Sequence, residues 1–156
     1  MSENNQHRVN FALVKVITEQ LDLSEKDIEE TRKIKINAAL NFGIDNDKKL
    51  IKVRFKNSFA SEEKISFITI ETGCVFAIDP ESWKMFASQK QNLFVIPKNF
   101  AGHLASITAH TARGILHNAT ENTPLNRFLI PANNIEEMVK ERSEEHTSEL
   151  QSLGRI

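Results

Sequence analysis

Cysteine occurs once in 156 residues, as Cys74, so no disulfide can close within the chain and its stability must come from an apolar core. A lone thiol in the stretch Cys74-Val75-Phe76 suits a reducing, cytoplasmic setting, where it serves as packing rather than as a nucleophile. Long apolar runs are missing too. No stretch of about 18 apolar residues is present and no charged start leads into one, so neither a spanning helix nor a secretory signal is expected. Net charge is nearly absent, 20 basic side chains against 21 acidic, which removes any general attraction to polyanions or membrane surfaces. The sequence holds no phosphate-binding loop, no dinucleotide fingerprint and no zinc-ligand cluster, and no cofactor is expected. Internal repeats are lacking as well.

What the chain does have is 40% hydrophobic residues, enough for one domain with one core. From Arg142 the composition shifts to Arg-Ser-Glu-Glu-His-Thr-Ser-Glu-Leu-Gln-Ser, with almost nothing to bury. Arg142 to Ser152 is similar, residue for residue, to one reading frame of a widely used sequencing adapter. Residues 142–156 are therefore set apart as a non-native assembly tail, and residues 1–141 are taken as a single domain. Without the tail, basic and acidic side chains are equal in number.

Val9 to Leu23 reads as a long irregular strand, with helix as the competing reading. Ile34, Ile36, Ala38, Leu40 and Phe42 then alternate at period two with Lys33, Lys35, Asn37, Ala39 and Asn41, and Ile51, Val53, Phe55 and Phe59 with Lys52, Arg54, Lys56 and Ser58. Gly43 to Asp47 supplies the reversal, so these segments predict a hairpin. Ile65 to Ile78 makes a fourth strand with a bulge expected at Gly73. Asp79-Pro80 places an N-cap before proline and predicts a short helix carrying Trp83, Met85 and Phe86. Pro97 to Asn99 opens a long helix. On it Phe100, Leu104, Ile107, Thr111 and Ile115 form one face, and Ala101, Ala105, Ala109, Ala112 and Leu116 adjoin it. That arc is wider than the stripe of about 100° a surface helix needs, so cover on two sides and self-association through the alanines are expected. The helix ends at Gly114 or runs on to Asn118, ahead of Pro124. Leu125 to Ile130 is extended, and Asn134 with Glu137 has capping-box spacing for a last helix. The class is α+β, a four-stranded antiparallel sheet with a long helix and shorter helices on one face.

Few residues point to chemistry. His103, His110 and His117 recur every seven positions, about 10.5 Å apart along a helix, too far to share one metal. Ser106 with His103 or His110 has one-turn spacing, which leaves a small hydrolase as the alternative of another class, although no glycine-framed nucleophile accompanies it. Lys33, Lys35, Lys52, Arg54 and Lys56 fall on one sheet face. That face carries no aromatics for base stacking, and Glu19 and Glu71 neighbour it, so nucleic acid is not expected as a partner.

In order and separation, several strings resemble the SecB family of bacterial export chaperones over most of residues 9–141. Phe11 and Leu13 with the alternation after them resemble its first strand, and Gly73-Cys74-Val75-Phe76-Ala77-Ile78 is similar to its Gly-Gly-Ile-Phe-Ser-Ile strand end. Ile107-Thr108 with Arg113-Gly114 matches its long helix, and Pro131-Ala132-Asn133-Asn134 is similar to the Pro-Val-Asn that opens its last helix. The resemblance implies dimers formed by strand pairing and tetramers formed through the long helices, here Leu104, Ala105, Ile107, Thr108 and Ala112. It implies a holdase that captures unfolded polypeptides or preproteins, with no enzymatic activity, nucleotide or metal. Candidate groove residues are Leu40, Phe42, Trp83, Phe86, Leu125, Phe128, Leu129 and Met138. Two departures stand out. Gln20, Ser24 and Thr69 replace acids that the family uses to dock its translocation motor SecA, leaving Glu19 and Asp22 as candidates. The stretch from Gly114 to Pro124 is about eight residues longer than in the family, which a surface connection tolerates. A dedicated chaperone for the antitoxin of a toxin-antitoxin pair, as some SecB-like proteins are, would account for the weakened motor features.

Overall fold

The computed structural model describes residues 8–25, 33–61, 65–88, 93–131, 135 and 137–139. The tail from Arg142 and the cap residue Asn134 lie outside them. Four strands, β1 (Phe11–Leu23), β2 (Lys35–Asp45), β3 (Leu50–Ala60) and β4 (Ser66–Ile78), form one antiparallel sheet in the order β1-β4-β3-β2. Helix α1 (Pro80–Phe86), a small ribbon of β5 (Ala87–Ser88) and β6 (Leu93–Phe94), the long helix α2 (Lys98–Ala119) and a 3-10 turn at Pro124–Arg127 follow. The fold is the predicted α+β arrangement.

Period two sets the hairpin. Leu40 pairs with Phe55 and Phe42 with Val53, and all four are buried on the face that meets α2. The Asp45 carboxylate closes the turn by accepting from the N–H groups of Asp47 and Lys48, and Lys49 takes a left-handed φ of 57°. Gly73 is not bulged: it pairs in regular register with Ile17 on one side and Arg54 on the other. The irregularities near it fall in β1, where the register skips Val14 and Glu19.

Asp79 caps α1 as predicted, accepting from the Ser82 N–H at 3.3 Å ahead of Pro80. Trp83 anchors the helix to the β2–β3 turn by donating from Nε1 to Asn46 Oδ1 at 2.7 Å. Helix α2 runs through Gly114 and one residue beyond Asn118. Its far end is held by Thr120, whose hydroxyl donates to the Leu116 carbonyl at 2.8 Å, and by Asn126, whose amide donates to the His117 carbonyl at 3.0 Å. Asn122, with φ 64°, then reverses the chain.

Ala101, Ala105, Ala109 and Ala112 are all but fully buried, because α2 packs them onto β3 and β4. Methyl-sized side chains let the helix settle close over the apolar face of these strands. The chain thus supplies one of the two covers expected for the wide apolar arc. The other side of the arc, Phe100, Ile107, Thr111 and Ile115, is half-buried.

Candidate functional site

Six of the proposed groove residues belong to the core. Leu40 and Phe42 lie on the inner face of the sheet, and Trp83 and Phe86 pack on Phe94 with ring centroids 4.5 and 5.8 Å apart. Leu125 is buried, and Phe128 packs on Phe67 and Phe59 at 5.0 and 6.0 Å. Only Leu129, 47% exposed, and the half-buried Met138 keep surface. Within a single copy, most of the proposed seam is also covered. Leu104, Ala105, Thr108 and Ala112 are fully buried against the chain's own sheet, and Ile107 alone of the five can touch a second copy. An apolar pattern shows that a side chain is covered, not by what.

Apolar surface is left open on β1 instead. This is an edge strand: β4 takes one side, and among the described residues nothing pairs with the other. Leu13, Val16, Leu21 and Leu23 stand opposite the buried Phe76, Cys74, Ile70 and Ile68 of β4, so they share the inner face. They nevertheless remain 42, 44, 36 and 38% exposed, since α2 packs mainly on β3 and β4. The strand is tucked in at its start, where the Phe11 ring meets Phe76, Phe100 and His103 with centroids 5.9, 5.3 and 5.8 Å away. An open edge beside an uncovered apolar stripe is a surface that proteins normally cover or blunt. Extended polypeptide fits it, because an added strand would satisfy the backbone while its alternate side chains meet the stripe. The stripe escapes a search for period two because its spacing is two, three, two, three and two from Phe11 to Leu23, with Thr18 as the fourth member. Each step of three is one of the bulges.

On the outer face, the Lys52 ammonium donates to Glu19 Oε1 at 2.7 Å. The Lys52 side chain is 8% exposed and that of Glu19 23%. The hydrogen bond from Lys52 holds the Glu19 carboxyl below its ordinary value; burial opposes this, and the charges of Lys52 and Arg54 add to it. Asp22 accepts from the Gln20 amide at 2.6 Å. Both acids considered for motor docking are therefore engaged within the chain. Lys56 stands across from Glu71 in the β3–β4 register, so the basic face is interleaved with acids.

Ser106 and His110 do not form a poised pair. His110 Nδ1 lies 2.8 Å from the Ser106 carbonyl, to which it must donate, and 3.5 Å from Ser106 Oγ. A nitrogen that donates to a carbonyl cannot take the hydroxyl proton. His117 Nδ1 faces the Asn126 amide at 3.3 Å. Among the described residues no group of histidine, cysteine or carboxylate side chains could hold a metal, and no helix is long and apolar enough to cross a membrane. Cys74 is fully buried, and burial pushes its thiol up, opposed by hydrogen bonding with Thr108 and Thr111.

No family model and no curated protein matches the sequence. Solved structures do match. One is the SecB-like chaperone of Mycobacterium tuberculosis, in complex with a ChAD peptide from the HigA1 antitoxin. It shares 8% identity with this chain and a TM-score of 0.49, over 70% of this chain and 78% of its own.

Proposed function

We propose that this chain is a cytoplasmic SecB-like holdase chaperone that captures unfolded polypeptide in extended form along β1, without nucleotide or metal. The observation that carries this reading is the open edge of β1 with Leu13, Val16, Leu21 and Leu23 uncovered beside it. Backbone pairing is indifferent to client sequence, and a stripe of flexible aliphatic side chains accepts many apolar partners, which is what a holdase requires. The strings shared with the SecB family support the same reading. A homodimer or homotetramer belongs to it, with Ile107 and the open side of α2 as the surface left for a second copy. The test is suppression of aggregation of a chemically unfolded client at stoichiometric amounts without nucleotide. Protection is the expected result, and a client that aggregates as fast with the protein as without it contradicts the proposal.

A second reading concerns the partner. With Glu19 paired to the Lys52 cation, Asp22, which accepts only from the neutral Gln20 amide, is the one acid of β1 whose charge is left for a basic motor surface. This favours a dedicated chaperone for the antitoxin of a toxin-antitoxin pair over one that delivers preproteins for export. Client capture with no binding to a purified SecA-type motor at low salt is the outcome that reading expects, and motor binding of micromolar strength would return the export role.

A further inference from the structure

We infer that Lys52 and Glu19 form a strap that positions β1, fixing the bulge at Glu19 and so the register in which the strand presents its apolar stripe. The strap's link to client capture rests on the polypeptide-binding reading above. Lys52 springs from β3, and its ammonium crosses β4 to reach β1, so one ion pair ties the edge strand to the centre of the sheet. It passes over Gly73. A Cβ built there would stand 2.9 Å from Lys52 Cε and 3.4 Å from Glu19 Oε1. Glycine weakens a strand interior, and here its missing side chain is the passage the strap needs.

Glu19 is also one of the two residues that the β1–β4 register skips, the other being Val14. Without the bulge at Glu19, the residues after it would shift by one place and Leu21 and Leu23 would turn to the outer face. The stripe would end at Thr18. A well-solvated surface pair could not hold this register, since exposed pairs contribute little, but the Lys52 side chain is 8% exposed and its bond is short. The pair therefore sits where a charge-assisted contact has leverage on the binding edge.

Amide hydrogen exchange along β1 tests the strap, measured beside the affinity for an extended apolar peptide. Glu19→Gln keeps the shape and removes the charge, Lys52→Met removes the donor, and Gly73→Ala crowds the passage and pushes the Lys52 Cε aside with no change of charge. Each should speed exchange at Leu21 to Leu23 by roughly tenfold, leave the β2–β3 hairpin unchanged and weaken the peptide in parallel. The charge-swapped pair Glu19→Lys with Lys52→Glu should recover much of both. Exchange in β1 equal to that of the native chain in all three single variants overturns the inference, as does a loosened β1 with undiminished peptide affinity. If the native chain binds no unfolded polypeptide while the variants still loosen β1, the binding reading falls and the register strap stands.

Discussion

Thr72 lies fully buried between Phe55 and Thr18 in the sheet register, and its hydroxyl oxygen has no partner. A buried hydroxyl left unpaired forfeits its hydration without return, so Thr72→Val should raise stability by about 1 kcal/mol. The urea midpoint should rise with an unchanged slope; an unmoved or lower midpoint contradicts this account of Thr72. Glu19 gives a pH dependence. Its folded-state value lies below the ordinary 4.5 because Lys52 donates to the charged form. The contribution of the pair is thus complete well above 4.5 and is lost as pH falls through the depressed folded value. Midpoints of the native chain and Glu19→Gln should differ at neutral pH and converge on acidification. A difference that persists into acid would mean the pair is not its source. Cys74 was legible as packing because free cysteine in an apolar strand is ordinarily buried. The engagement of Glu19 was not, since its partner is 33 positions away along the chain and reaches it across another strand.

Among the elements, α2 shows what periodicity does and does not give. The alanine face follows from 100° steps, and it is the face that packs on the sheet. A seam between copies does not follow from that face, because the pattern of a covered face is the same whether the cover is the chain's own sheet or another copy. The end of the helix was legible only to within a turn. Gly114 suggested a stop, and of the capping groups that carry the helix past it, Thr120 acts locally on Leu116 while Asn126 reaches back to His117 from beyond Pro124. A Cβ at Gly114 would meet nothing within 4 Å in the chain. Gly114→Ala should therefore stabilise the protein by roughly 1 kcal/mol, the ordinary gain within a helix. At Ala109, fully buried against the sheet, a leucine should cost about 1–3 kcal/mol by overpacking. Thermal unfolding of the two variants reads both effects, and the opposite order would mean that the faces of α2 are misassigned.

At the scale of the whole molecule, the hairpin and the sheet were readable because period two holds from Ile34 to Phe42 and again from Ile51 to Phe59, whereas the open surface was not. The two bulges in β1 break its alternation, and exposure of its inner face depends on how far α2 extends across the sheet, a matter of packing rather than of local sequence. In the proposed function this uncovered stripe is the binding surface for extended polypeptide. The most direct measurement is the affinity of an unstructured apolar peptide for the native chain and for Val16→Lys and Leu21→Lys, with the mass in solution followed for all three. Both substitutions fall on side chains more than a third exposed, so the fold should survive them. The account predicts that either lysine weakens the peptide at least tenfold while the native mass is kept, since a charge must be desolvated beneath the added strand. Unchanged peptide affinity, or an assembly that falls apart while the native chain binds no peptide, would contradict it and give the stripe to a second copy of the chain.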